Sequence, residues 1–365
     1  MRKNVLIVIF AMFFMVGCGS INNVEVKKSS PVEISKAVTS LKTYDWNHAR
    51  IKNKVPVRYF GNAPIVVQNE KYIFYPKEGN KVVRVDKRKK DEKIIYEFPL
   101  SKEKGVGVHL TLGENIIFFE HEGNIVSSDY NGDNVVEIIS NSKMKKRLSK
   151  EIEDLEDFCE IYAIHYYKKN LYFISRFNIY EYDMKTEKIT RLADDVYEAC
   201  FCGNMLYCAY YSWTALCEVN LSTHKKKRIR GKETNIKEVK NTGAVKYYRG
   251  LMEVDNQFYY VRRQNAARPA IYQYCKNGKD KKIYEYEVSP GMDFDEIAVC
   301  DSSKIACAYT DREDGEHKAM IYDIKARTLK KTDLSGERFN YDFIIENLVF
   351  YWKGDSDYIS CFSYE

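Results

Sequence analysis

From residue 55 onward, apolar and polar positions alternate with a period of two, as in "NIYEYD" (178–183) and "KITRL" (188–192). That period belongs to half-buried strands and not to helices. One theme recurs along the chain. An apolar strand is followed by a turn, an aromatic-rich strand, a strand often ending in Asp, a charged turn and one more strand. Its clearest copies are "NEKYIFYPKEGNKVVRVDKRKKDEKIIYEF" (69–98), "GENIIFFEHEGNIVSSDYNGDNVVEII" (113–139) and "KNLYFISRFNIYEYDMKTEKITRL" (169–192). Weaker copies cover 203–229, 256–287 and 303–334, and a truncated one covers 346–365. The spacing, about 46 residues, suits a four-stranded blade. The pattern predicts an all-β fold, a seven-bladed β-propeller over residues 55–365, with a six-bladed ring as the alternative. The last copy lacks a fourth strand, which would leave an open edge. "VPVRYF" (55–60) is expected to close the ring by pairing with 357–364.

Two stretches break the strand pattern. "SKMKKRLSKEIEDLED" (142–157) spaces Met144, Leu148, Ile152 and Leu155 as one helical face, which predicts a short amphipathic helix packed on the ring. "ISKAVTSL" (34–41) aligns Ile34, Val38 and Leu41 on one face and predicts a second short helix within an otherwise polar tether.

The N-terminus has a different pattern. Arg2 and Lys3 precede an unbroken apolar run, Val5 to Met15, and then Gly17 and Cys18. The run is too short to span a bilayer as a mature helix and fits a signal-peptide core. Met15-Val16-Gly17-Cys18 resembles the cleavage box of bacterial lipoproteins, with Met15 and Val16 departing from the commoner residues there. The resemblance implies a signal peptide over 1–17 and lipidation, such as palmitate, at Cys18. A tether would then cover 18–54, with the protein anchored in the cell membrane on the extracytoplasmic face. Two acyl chains suffice for stable anchoring.

Composition adds three points. Thirty Tyr and 18 Phe suit strands packed on one side. The formal charge of +6, to which Arg2 and Lys3 contribute two, gives no reason to expect nucleic acid. Of 10 cysteines, nine follow Cys18, so at least one is unpaired in a monomer. Cys200, Cys202, Cys208 and Cys217 are close in sequence but lack the paired two-residue gap of structural zinc sites. Buried free thiols are the expectation, with no metal or other cofactor. Cross-strand disulfides remain open.

The strand–turn pattern, best seen in "IIFFEHEGNIVSSDYNGDN", resembles bacterial lipoprotein propellers related to YWTD-type repeats. That resemblance spans most of 64–365 without the literal tetrapeptide. It implies binding or scaffolding, because most bacterial members have no assigned activity, and their usual six blades are why the six-bladed alternative stands.

In a propeller, turns joining third to fourth strands share one face. Four such turns are basic: Lys87, Arg88, Lys89 and Lys90; Lys225, Lys226, Lys227 and Arg228; 276–282; and 325–331. This face is expected to look toward an anionic membrane or wall polymer. On the opposite face, "AYYSWT" offers Tyr210, Tyr211 and Trp213 for sugar stacking or a protein partner. "RRQNAARP" offers Arg262, Arg263 and Arg268 for an anionic ligand. "TDREDGEH" (310–317) is acidic but lacks the alternating spacing of a calcium loop. The sequence holds no nucleophile elbow, paired metal-binding histidines or phosphate loop.

The expected protein is therefore a monomeric ring without catalytic residues that binds a protein or glycan. The alternative is a propeller glycoside hydrolase or polysaccharide lyase using acids such as Asp293, Asp295 or Asp311.

Overall fold

A computed structural model describes residues 39–40, 59–60, 66–77, 80–89, 91–99, 108–149, 161–210, 214–231, 246–264, 268–287, 292–299, 303–311, 315, 317–333, 343–345, 348–352 and 359–363. The chain divides into two units, Met1–Lys36 and Ala37–Glu365, and every described residue lies in the second. The signal-peptide and Cys18 expectations fall outside the described residues, as do Tyr211, Trp213 and Lys90.

Two short strands come first, β1 (Thr39–Ser40) and β2 (Tyr59–Phe60). The first sheet follows as β3 (Val67–Gln68), β4 (Tyr72–Lys77), β5 (Lys81–Asp86) and β6 (Glu92–Glu97). The second is β7 (His109–Leu112), β8 (Ile116–His121), β9 (Asn124–Asp129) and β10 (Val136–Ile139). Helix α1 (Asn141–Leu148) precedes the third sheet, β11 (Ile161–Tyr167), β12 (Asn170–Ser175), β13 (Asn178–Asp183) and β14 (Lys188–Ala193). The fourth contains β15 (Val196–Cys202), β16 (Met205–Tyr210), β17 (Ala215–Asn220) and β18 (Lys226–Gly231). The fifth has β19 (Lys246–Val254), β20 (Gln257–Gln264), β21 (Ala270–Gln273) and β22 (Lys281–Glu285). The sixth has β23 (Met292–Val299), β24 (Lys304–Asp311), β25 (His317–Asp323) and β26 (Thr328–Asp333). Strands β27 (Phe343–Ile345), β28 (Leu348–Trp352) and β29 (Ile359–Ser363) end the chain.

The described strands form seven antiparallel sheets, each a meander in chain order, with β1 added to the outer edge of the last and β2 to the inner edge of the fourth. First strands of successive sheets lie side by side, β15 beside β19, β19 beside β23 and β23 beside β27. This is the radial arrangement of a β-propeller, with first strands around a central channel.

The core lies between sheets. Each continuous apolar cluster draws residues from two consecutive sheets, first with second, second with third, and so on to fifth with sixth. Each of these junctions has a stacked ring pair. They are Tyr96–Phe119 at 5.0 Å, Phe118–Tyr166 at 5.3 Å, Tyr167–Phe201 at 4.5 Å, Tyr207–Phe258 at 4.0 Å and Tyr284–Tyr322 at 4.2 Å between centroids. The aromatic excess is thereby explained, because a flat ring fills the gap between two facing sheets and adds stacking energy.

The recurrent Asp also has a local cause. Asp86, Asp129, Asp183, Asn220 and Asp323 each end a third strand. Each side chain accepts backbone N–H bonds from the following turn, for example Asp183 Oδ1 from Lys185 at 2.8 Å and Thr186 at 3.1 Å. Such Asx turns set the reversal into the fourth strand.

Two expectations are corrected. Ring closure is made by Thr39–Ser40, not by 55–60: Thr39 pairs with Cys361 and Ser40 with Ser360. Tyr59 and Phe60 instead pair with Cys200 and Ala199 on the channel edge of β15. Thr39 and Ser40 are thus strand, where the sequence predicts helix. Eight residues containing Ile, Val and Thr form a marginal helix, and pairing with an open sheet edge satisfies the backbone of Thr39 and Ser40. The helix predicted over 142–157 is present as Asn141–Leu148, with Met144 and Leu148 fully buried between the second and third sheets. Ile152 and Leu155 lie outside the described residues.

Candidate ligand-binding mouth of the channel

Strand connectivity gives the molecule two faces. Turns from first to second and from third to fourth strands share one end. Loops from second to third strands, and the connections between sheets, share the other.

At this second end the first strands are irregular. The ladders skip one residue at Tyr162 in β11, at Tyr197 in β15 and at Asp295 in β23, and β19 is bulged between Arg249 and Met252. Bulges at blade mouths re-aim side chains. Next to them, one register level brings His109, Ala163, Glu198, Arg249 and Glu296 around the channel, opposite Glu120, Ile174, Ala209, Val261 and Ala308.

His109 and Arg249 at this level, with Tyr162 and Tyr197 at the adjoining bulges, make a polar and aromatic rim. His109 Nδ1 lies 2.7 Å from Glu120 Oε2, and the buried Glu120 also accepts the Gly123 N–H at 2.7 Å. Tyr162 stacks on Phe177 with centroids 5.6 Å apart. Phe177 and Arg176 form the loop between β12 and β13 with positive φ of 62° and 45°. Positive φ at both central residues is the two-residue hairpin geometry, which recurs at Lys168–Lys169 and Asp255–Asn256. Arg249 places its guanidinium 5.4 Å from the centre of the Tyr197 ring, linking the fifth sheet to the fourth. Tyrosine faces beside a guanidinium offer stacking and charge together, a combination suited to planar or acidic ligands.

Several residues singled out in the sequence sit elsewhere. Tyr210 is buried between the third and fourth sheets, with Lys226 Nζ 5.0 Å from its ring centre, and presents no exposed ring. Arg262 lies over the Tyr272 ring at 3.9 Å and bonds the same hydroxyl. Its neighbour Arg263 follows on the same strand, where successive side chains point to opposite sheet faces. Arg268 is exposed near Glu285, whose carboxyl is held down first by its hydrogen bond to Lys282 and to a lesser extent by Arg268. Arg262 and Arg268 thus both lie near the Lys282–Glu285 pair, while Arg263 belongs to the other sheet face. The sequence read runs of exposed-looking residues, whereas the rim is built from single positions on four separate repeats.

The basic turns are also partly tied down. Lys87 bonds Gln68 Oε1 at 2.7 Å and the Asn69 carbonyl at 2.6 Å. Lys226 pairs with Asp194. Arg88, Lys89, Lys225, Lys227 and Arg228 are exposed.

The cysteine cluster is split by the sheet. Cys200 packs toward the fifth sheet, and Cys208 and Cys217 pack toward the third. Cys208 lies directly opposite Cys217 across the ladder. The half-buried Cys202 thiol is pushed up to about 11, first by burial and then by Glu253. Among the described residues, no three His, Cys, Asp or Glu side chains gather as a metal-binding group.

No protein-family model matches the chain. No curated protein matches it either. Solved structures do. An oligogalacturonate lyase from Vibrio parahaemolyticus aligns with a TM-score of 0.57 at 11% identity, over 91% of this chain and 96% of the lyase. The extracellular domain of BT4673 from B. thetaiotaomicron aligns with a TM-score of 0.51 at 10% identity, over 89% of this chain. This chain spans 40% of that longer protein. At such identities the likeness defines the fold, and the chain is a β-propeller.

Proposed function

We propose that this protein is a surface-anchored lipoprotein, held through Cys18 on the extracytoplasmic side of the cell membrane, whose propeller binds a ligand without transforming it. The ring has seven blades, one for each described sheet. The ligand enters at the bulged ends of the first strands, and an acidic glycan fits best. The observation that carries this reading is the pairing of Tyr197 with Arg249, flanked by the Tyr162–Phe177 stack. The exposed members of the basic turns look toward the membrane. Thr39, in the fourth-strand position of its sheet, begins at that same face.

A second reading is a polysaccharide lyase or glycoside hydrolase. It is supported by the fold shared with an oligogalacturonate lyase and by the His109–Glu120 pair at the rim. Asp295 stands at a bulge on the same end. Asp311, in contrast, is held by Lys318 at 3.0 Å.

A thermal-shift titration with oligogalacturonate, neutral oligosaccharides and peptides tests both readings. A dose-dependent rise with the acidic sugar, lost in Tyr197→Ala and Arg249→Ala, supports the rim as the binding site. Ultraviolet absorbance from a new C=C bond in the sugar would replace the binding reading with the lyase reading. Absence of any shift with sugars overturns the glycan assignment. Liposome binding that shows no preference for anionic lipid overturns the membrane-facing role of the basic turns.

A further inference from the structure

We propose that the outer strands of the fourth, fifth and sixth sheets form one continuous basic belt that binds a linear polyanion, a polymer with a phosphate in each repeat. The inference goes beyond the membrane-facing role of the basic turns and is independent of the ligand at the channel mouth.

Three observations carry it. The first is where the charge gathers. Residues 225–228, 276–282 and 325–331 each hold four Lys or Arg, all exposed, and the one acid among them, Asp280, is taken by Arg230. In the second sheet the matching stretch, 130–139, has Asp133 and Glu137 and no Lys or Arg, and in the first Asp91, Glu92 and Glu97 follow the cations. Lysine also guards outer strands against edge pairing, but that need is the same at every sheet, and the second exposes Val135 and Val136 without it. The second observation is continuity. Arg230 of β18 donates to Asp280 Oδ2 at 2.6 Å and to the Cys275 carbonyl at 2.8 Å, joining the fourth sheet to the turn of the fifth. Tyr284 of β22 stacks on Tyr322, near the end of β25 and just before the turn of the sixth. The third is the form of the belt. Lys282 stands opposite Tyr272, and Lys330 and Lys331 opposite Ile321 and Met320, so cations climb the strands above the turns. A flat bilayer cannot follow charges that climb a wall and turn with the ring, whereas a flexible chain can. Adjacent cations place a charge about every 3.4 Å along a strand, which suits a densely charged polymer. Lysine, a point charge without a fixed fork, binds phosphate without imposing a register. Asp194 and Asp255, which pair with Lys226 and Lys325, are themselves exposed, and such pairs are weak enough to yield.

Fluorescence anisotropy of labelled long-chain polyphosphate against the full chain tests the proposal, beside flotation with phosphatidylglycerol vesicles. Lys227→Glu/Arg228→Glu at one end of the belt and Arg327→Glu/Lys331→Glu at the other are each expected to weaken polyphosphate binding about tenfold, with the melting temperature unchanged. Lys185→Glu/Lys188→Glu reverses as many exposed charges on the third sheet, off the belt, and should leave polyphosphate binding unchanged. Absence of polyphosphate binding by the unaltered protein at low salt overturns the proposal. An equal loss in the third-sheet variant also overturns it, because net charge alone would then account for binding. Vesicle binding that falls equally in both belt variants would give the surface to the membrane and overturn the polymer as its partner. Vesicle binding that falls in one belt variant or in neither, with polyphosphate binding lost in both, supports the belt.

Discussion

Glu181 is a single buried carboxylate that joins two sheets. It accepts Asn170 Nδ2 and the Tyr172 hydroxyl at 2.8 Å on one oxygen and lies 2.9 Å from His224 Nε2 on the other. Burial, then Glu181, pushes the Tyr172 phenol up, so the hydroxyl stays a donor at any ordinary pH. Glu181→Ala strands that hydroxyl in the core and is expected to cost about 2 kcal/mol. Glu181→Gln keeps an acceptor and should cost less, and urea denaturation of the two variants distinguishes them. A second carboxylate, Asp280, clamps the fourth sheet to the fifth. Arg230 Nε donates to Asp280 Oδ2 at 2.6 Å, its NH2 group donates to Oδ1, and Tyr260 also donates to the carboxylate. Burial alone would raise the Asp280 carboxyl, but Arg230 and Tyr260 outweigh it and hold it below its ordinary 3.8. The stabilisation is therefore complete above that value and is lost as pH falls through the lower, folded one. Asp280→Ala is expected to lose about 3 kcal/mol near neutral pH, leaving Arg230 without its partner. The deficit should shrink in acid, and melting curves between pH 7 and 2 follow it.

At the scale of elements, helix α1 shows how a local pattern is held by packing. Eight residues with no side-chain cap at Ser140 do not make a helix that stands alone. Met144 and Leu148 fasten it against Ile139, Ile161 and Leu171. Leu148→Ala is expected to lower stability by about 3 kcal/mol through the cavity it leaves. A surface change such as Lys143→Ala should be nearly neutral, as thermal unfolding would show. The same element marks what the sequence makes legible. Period-two alternation and the Asp that ends the third strand of four sheets are local signals, and they place those hairpins correctly. The rim and the closing strand are not local. Tyr162, Tyr197 and Arg249 meet only because bulges in separate repeats fall at one level, and no run of residues announces them. Within "AYYSWT", Tyr210 belongs to a buried junction, a place an aromatic at a strand end also suits, while Tyr211 and Trp213 lie outside the described residues. Two short N-terminal strands compete for sheet edges far away in sequence, so the alternation of 55–60 says that it pairs but not with which edge.

The whole molecule depends on where that competition settles. Each junction between consecutive sheets is held by its own aromatic stack, so the arc from the first sheet to the sixth is continuous without the N-terminal segment. The last sheet is different, because among the described residues its outer edge is covered by Thr39 and Ser40, which come from the other end of the chain. An uncovered Ile359–Ser363 edge would present apolar strand with free N–H and C=O, the template for edge-to-edge association. Thr39→Pro/Ser40→Pro, which cannot donate to that edge, is expected to lower the melting temperature by several degrees and to make the protein associate with rising concentration. A Phe60→Pro change, acting on the channel edge instead, should leave the protein monomeric. Light scattering across a concentration series, with melting curves on the same samples, separates the two. Association in the first variant and not the second would assign closure to 39–40 and pairing on the channel edge of β15 to 59–60. Equal behaviour of both variants would mean that the two segments share one structural task.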